Sequence, residues 1–396
     1  MKDIQQKLEQ QIIEVTDRQS WRLFHQVPLR IYANHPVWIA PLESDIEKIF
    51  TPETNKAFQH GEARCFVLLD KQGAPAGRIA AFLDHERNAQ QDFPTGSIGF
   101  FECTEDQDTA FALFARAEAY LQAKGVQAID GPVNFGERDK FWGLLVKGFE
   151  HPPIYQENYH PPYYRPFFEA WGFRPFEQVL TLKGEIADIP ADRFHALAQR
   201  VRQRYGLKTS YIDKNRLEKY AQDFAQVYNK AFKHFPYFKP LAGKQILQIF
   251  KQAKLIMDPR LVCFVYDGEQ PVGFCGLLPE VNPFFKHANG KLNLWTMPGF
   301  LWRFKTMRPQ MVKGVAFGIH PDFQRKGIFP LMVDFLHTTH VLNRYSHIVL
   351  ATIRGHNKVM IDTCAKLGVK PDRVHLAFRK MLDETLPFEP FDFTDV

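Results

Sequence analysis

Apolar positions fall in short blocks along the chain, and Gly, Pro, Asn and Asp mark the gaps between them. Residues 63–69 and 77–83 are two such blocks around DKQGAPAG, which predicts strand, turn and strand. A third strand is predicted over 96–101. Over 109–123 the apolar residues recur at helical spacing, and Gly125 follows as the stop. Weaker signals predict a polar N-terminal helix or arm (MKDIQQKLEQ), a strand at 12–16, a helix at 20–32 and a strand at 126–130. A long stretch of Gly, Pro and aromatics follows, GPVNFGERDKFWGLLVKGFEHPPIYQENYHPPYY, and leads into a helix at 165–171 and a strand at 177–183.

The second half repeats this order. Helices are predicted at 216–235 and 244–254, and paired strands at 261–266 and 272–278 around DGEQP. Then come a strand at 312–319, a helix at 327–340, a strand at 346–352, a helix at 358–367 and a strand at 373–380. Pro75-Ala76-Gly77 matches Pro271-Val272-Gly273, and Trp171-Gly172-Phe173-Arg174-Pro175 matches Leu367-Gly368-Val369-Lys370-Pro371, both 196 positions apart. Gly and Pro recur because the chain turns at the same places. Insertions in the middle of each half offset one another, so the shared spacing, which points to a duplication, partly reflects that compensation. IADIPADR breaks the strand pattern and divides the chain into 1–188 and 189–396. The expected class is α+β, a mixed sheet with flanking helices, built twice in tandem.

The segment VAFGIHPDFQRKGIFPLMV carries the most chemistry. A strand ending in Phe317, Gly318 and Ile319 runs into the basic turn Gln324-Arg325-Lys326-Gly327, and a helix starts at once with Ile328 and Phe329. The first N–H groups of a helix have no partner within it and sit at the positive end of its dipole, so this is an anion site. Gly327 lets a phosphate approach the backbone, while Arg325 and Lys326 add charge. An ordinary strand-to-helix turn has the same outline, and a lone QxxG is a weak signal.

The strand, the Q-R-K-G-I turn and the helix together resemble motif A of the GNAT superfamily of acyl-CoA N-acyltransferases, Q/R-x-x-G-x-G/A, with Phe329 in place of the last small residue. Asn357 and Gly368 resemble a later N-x(10)-G feature. The resemblance implies two tandem GNAT folds, with acyl-CoA as co-substrate held by 317–319 and 324–329. Asn357 is expected to cap its helix and to touch the pantetheine or a water. The superfamily often has a Tyr general acid seven residues after that Asn. Here the position is Cys364, read either as a proton donor or as a buried thiol. The first half lacks the loop. Glu102, Glu105, Asp106 and Asp108 stand at the equivalent turn and are expected to repel a pyrophosphate.

The series F-x-x-V-P-x-x-I-Y, W-I-A-P-L, G-R-I-A-A-F-L-D, G-F-F-E, G-P-V-N-F, W-G-L-L-V-K-G-F and P-P-Y-Y is similar to a bacterial family of tandem GNAT-like proteins. Some of its members are associated with long-chain amine acylation. This implies direct transfer to a small-molecule or lipid amine from acyl-CoA, or from acyl carrier protein through the same phosphopantetheine arm. Strand N–H groups near Phe317 to Ile319 are expected to hold the oxyanion. A base is also needed. Glu280 and His320 are the candidates, each with a plain alternative: a solvated strand end and a turn residue. Asn134, Glu137 and Tyr155 are candidates to face the acceptor, although Glu137-Arg138-Asp139-Lys140 also reads as a charged surface turn. The insert NPFFKHANGKLNLWTMPGFLWRF fits a lid, an apolar wall, a membrane-surface contact or an irregular loop.

Charge and composition narrow the classes. A net charge of +6 without a dense basic run suits CoA phosphates or an anionic membrane surface rather than nucleic acid. Of the 37 Phe, 13 Tyr and 6 Trp, part belongs to a core and part suits a groove for an apolar substrate. Five scattered cysteines without a CxxC pair point to buried thiols, with no metal site or disulfide framework. No apolar run reaches spanning length, and the charged start lacks a signal-peptide h-region, so a cytoplasmic protein is expected. Two rival readings stay open. A tandem transferase of the peptidoglycan type, using aminoacyl-tRNA, would not need the phosphate loop. A non-catalytic binding module would explain Phe329 and Cys364.

Overall fold

A computed structural model of the chain describes residues 11–234 and 238–395. The expected N-terminal arm and the Phe235 end of the expected 216–235 helix lie outside them. Among the described residues, thirteen strands join in one sheet flanked by helices.

In the first half, β1 (Ile12–Glu14), β2 (Gly61–Leu69), β3 (Pro75–Asp84) and β4 (Thr95–Cys103) lie antiparallel in chain order, and β5 (Ala128–Gly131) runs parallel to β4. The β2–β3 turn closes because Asp70 Oδ1 accepts the N–H groups of Gln72 and Ala74. Helix α1 (Arg18–Ile31) starts at a capping box, in which Asp17 accepts the Ser20 N–H and the Ser20 hydroxyl accepts the Asp17 N–H. Helix α2 (Gln107–Gln122) buries Ala110, Leu113, Phe114, Ala117 and Leu121, a stripe at helical spacing that packs against the sheet. The Gly/Pro/aromatic stretch contributes β6 (Leu144–Lys147), and β7 (Arg174–Glu185) closes the half.

The second half opens with α3 (Ala191–Tyr205) and β8 (Lys208–Tyr211), neither of which the sequence pattern predicts. After Pro190, the apolar positions Phe194, Ala198, Val201 and Tyr205 do fall at helical spacing, masked by the polar residues between them. Then follow α4 (Leu217–Phe232), α5 (Gly243–Ala253), β9 (Val262–Asp267), β10 (Gln270–Pro279) and α6 (Met297–Thr306). The half ends with β11 (Met311–Ile319), α7 (Ile328–Thr338), β12 (His347–Arg354), α8 (Lys358–Ala365) and β13 (Lys370–Met381). The insert is therefore partly helical. One core lies between the sheet and α3 and α7, and another lies under α4 and α5.

The closing strands are exchanged. β7 ends the first half yet pairs with β12 of the second, and β13 pairs with β5 and β6 of the first. β7 and β13 pair with each other and join the halves into a continuous sheet.

Candidate active site

β11 and β12 run parallel from Met311–His347 to Gly314–Leu350, and there the pairing stops. Each strand carries an irregularity at that level. On β11, Ala316 pairs with Gly276 and Gly314 with Leu277, leaving Val315 as the extra residue of a bulge. On β12 the register to β7 shifts between Leu350 and Ile353, and Thr352 takes φ +60°. The strands part beyond this point, and Val315, Ala316, Phe317, Leu350 and Ala351 are exposed or half-buried. The first half has the same parallel pair, but every residue of β4 is buried. The chain after β5 lies directly on β4: Val133 N–H donates to the Ile98 carbonyl at 2.9 Å, and a Cβ on Gly99 would sit 2.0 Å from the Val133 oxygen. The second half has an opening where the first half is filled.

The loop after β11 completes the opening. Gly327 caps α7 with φ +81° and no side chain, leaving the helix N-terminus uncovered. Pro330, within the first turn of α7, costs no hydrogen bond because that N–H would be free anyway. Arg325 also takes a left-handed conformation, φ +67°, and Lys326 Nζ lies 4.2 Å from the Phe323 ring centroid. Phe329 turns inward, edge-to-face with Phe194 of α3 at 5.8 Å and Phe317 at 5.5 Å. Helix α3 backs the loop. Its Val201 Cγ2 lies 2.6 Å from where a Cβ on Gly327 would be, and its Arg202 and His195 bind the buried Asp334 of α7 at 2.7 and 2.8 Å. Sequence reasoning missed Val201, Arg202, His195 and Asp334, because α3 itself was missed.

The matching helix of the first half is already occupied by the protein's own anion. Asp106 caps α2 and accepts from the Thr109 N–H at 3.1 Å. Glu102, expected in the acidic turn, instead points into the interior from β4 and accepts from the hydroxyls of Tyr32 and Tyr164 at 2.7 and 2.8 Å. Burial raises its carboxyl to about 7, against the opposing pull of Arg78.

Two of the expected residues meet between the halves. Glu280, just past β10, is 3% exposed. Its Oε1 accepts the N–H groups of Tyr155 at 2.9 Å and Asn282 at 2.8 Å, while the buried Oε2 has no hydrogen-bond partner among the described residues. Burial holds the carboxyl above its ordinary range, partly offset by Lys313. Lys313 Nζ donates to the Tyr155 carbonyl at 2.8 Å, and the Tyr155 hydroxyl donates to Asp45. Asp45, Phe141, Ile154, Tyr155 and Asn282 line a narrow cleft here, built from both halves. Asp45 and Lys313 gave no sequence signal; only the packing of the halves brings them in.

The remaining expected residues are not among those that line this cleft. His320 is buried at the end of β11. Its Nδ1 accepts the Asp322 N–H at 3.2 Å, its Nε2 is unpartnered among the described residues, and burial lowers its pKa. Asn357 caps α8 by accepting the Met360 N–H at 3.1 Å. Cys364 is inside the core under α8, and burial pushes its thiol up to about 12. Asn134 is buried and donates to the Glu137 carbonyl at 2.9 Å. The Glu137 side chain is exposed and pairs with Lys140. The following residues reach β12: Arg354 donates to the Arg138 carbonyl at 2.7 Å and shares the buried Glu177 with the Arg138 guanidinium. A first-half loop therefore borders the open side of the second half.

No family model matches the chain. It is 29% identical over 381 residues to the bacterial ceramide synthase of Caulobacter vibrioides, covering 94% of this chain and 97% of that protein. It is 22% identical over 366 residues to protein YghO of Escherichia coli, covering 91% of this chain and 93% of that one. Among solved structures it resembles a tandem GNAT protein from the clavulanic acid biosynthesis pathway, with a TM-score of 0.52 and 12% identity, covering 94% of this chain and 98% of that chain.

Proposed function

Starting from a chain that carries the tandem GNAT fold, we propose that it is an N-acyltransferase that moves an acyl group from a phosphopantetheine thioester, acyl-CoA first, to the amine of a long-chain lipid. The observation that carries this reading is the asymmetry of the two parallel strand pairs. β11 and β12 open at the Val315 bulge above an uncapped helix N-terminus, while the first half fills the same place with Val133 and Asp106. The similarity to the ceramide synthase of Caulobacter vibrioides supports the lipid amine, since ceramide is an N-acylated long-chain base. The phosphate loop speaks against an aminoacyl-tRNA donor.

The amine nitrogen bonds to the thioester carbonyl carbon, the C–S bond breaks, and the thiolate leaves. Backbone N–H groups at the β11 bulge stabilise the oxyanion, and the N-terminus of α7 with Arg325 and Lys326 holds the pyrophosphate. The proton shed by the amine goes to Glu280. That residue pairs at the level of Met311, four residues before Val315, on the order of 13 Å along a strand. This exceeds direct reach, so Glu280 takes the proton through an intermediate carrier, at the unpartnered Oε2, rather than from the amine itself. Calorimetry with CoA tests the donor site, with binding expected for the native chain and lost in Gly327→Glu. A matrix of amines and acyl-CoAs tests the rest. Reaction with acetyl-CoA alone would sink the lipid reading.

A further inference from the structure

Between Glu280 and Asp322 the chain has no Asp or Glu, but it does carry Lys286, Lys291, Arg303, Lys305 and Arg308. The same segment holds some of the most exposed apolar side chains of the protein: Leu294 at 90%, Trp295 at 91%, and Trp302 and Met307 at 65% each. A lone exposed apolar residue needs no explanation, but a cluster flanked by one sign of charge does.

This surface is built. Asn293 Oδ1 accepts the N–H groups of Trp295 and Thr296 at 2.9 and 3.1 Å, and the Thr296 hydroxyl donates to the Lys291 carbonyl at 2.7 Å. That turn holds Leu294 and Trp295 outward. Met297, Phe300, Leu301 and Phe304 form the inner face of α6 and pack with Ile39, Leu42, Phe284 and Phe285, which leaves Trp302 on the opposite face. The base of the segment is tied to the first half: the Asn282 side chain donates to the Pro153 carbonyl at 2.7 Å, and the Glu43 N–H donates to the Gly290 carbonyl at 2.8 Å.

We propose that α6 and the turn before it dock the protein onto an anionic bilayer surface, Trp295 and Trp302 entering the headgroup region while Lys286, Arg303, Lys305 and Arg308 meet lipid phosphates. Indole rings favour that depth, basic side chains supply the attraction to anionic headgroups, and no carboxylate opposes it in this segment. No helix among the described residues is long and apolar enough to cross a membrane, so the contact is peripheral. The Phe285 ring, packed beneath α6, lies 5.8 Å from that of Tyr155, so the inner side of the docking segment packs against the residues of the cleft. That last point serves the acyl-transfer reading by letting a lipid amine enter from the bilayer, but the docking itself does not depend on it.

Co-sedimentation of the full chain with vesicles of equimolar phosphatidylglycerol and phosphatidylcholine tests the docking. Binding is expected, weak on phosphatidylcholine alone and reduced by high salt. The double variant Trp295→Glu, Trp302→Glu is expected to bind roughly tenfold less or worse, with its CoA affinity and melting temperature kept. The proposal is overturned if the native chain stays in the supernatant, or if the variant pellets equally. A native dimer that the variant splits, without vesicle binding by either form, also overturns it and assigns the patch to a second copy.

Discussion

The main-chain N–H of Tyr155 donates to the Glu280 carboxylate at 2.9 Å, linking residues 125 positions apart across the junction of the two halves. Each half supplies what the other lacks: a buried carboxylate from one, and the backbone that orients it from the other. Oε1 is committed to two N–H donors, and Oε2 is left without a hydrogen-bond partner among the described residues.

Glu280→Gln keeps an oxygen for those donors and removes the proton acceptor. The expected result is a fall in kcat of about 10²-fold or more with little change in CoA affinity. In the native chain the rate should rise with pH through a carboxyl pKa lying above the ordinary range, because only the ionised form accepts a proton. A pH–rate profile that Glu280→Gln leaves unmoved would remove Glu280 from the mechanism.

At Gly327, φ is +81° and Val201 lies 2.6 Å from the missing Cβ. Gly327→Ala should therefore cost about 1–3 kcal/mol of stability and weaken CoA binding. Adding Val201→Ala relieves the clash but leaves the backbone strain. The double variant should thus recover part of the melting temperature, and full recovery would assign the whole effect to packing.

Asp106→Ala uncovers the N-terminus of α2. The loss of the cap should cost about 1 kcal/mol. Calorimetry should still find a single CoA site per chain, because Val133 continues to fill the first-half opening. A second site in this variant would show that Asp106 alone excludes the donor there.

Glu102 makes stability depend on pH. Its folded pKa is about 7 against an ordinary 4.5, so between these values the folded state keeps a proton that the unfolded state has released. The stabilising contribution is fully present below 4.5 and declines as pH rises towards 7, by about 3 kcal/mol at most. Denaturant titrations of the native chain and Glu102→Gln across this window should differ in slope, with the flatter curve belonging to the variant.

Much of the architecture was legible because turn chemistry is local. Asp70 and Gly73 close the β2–β3 turn, and Gly327 starts α7 where the basic turn implied it. Helix α3 was not legible, because Pro190 and the polar residues around it resemble a linker while its apolar positions are few. Glu280 and Tyr155 stood out separately as residues, but their pairing depends on how the halves pack, and no short-range pattern encodes that. Glu102 looked like part of an exposed acidic turn because its partners Tyr32 and Tyr164 lie 70 and 62 positions away. The local alternation of β7 and β13 says that each is a strand, but not which sheet receives it.

That exchange of strands has a consequence for how the protein is made. The edges of β5 and β6 are completed by β13, whose residues leave the ribosome after everything they pair with. Until Lys370–Met381 emerges, the first half exposes an unpaired edge, while β7 waits for β12. Neither half can finish folding before Lys370–Met381 has been made, so a nascent chain stalled before residue 370 should hold an open sheet that attracts chaperones, whereas two independent domains would already have closed the first.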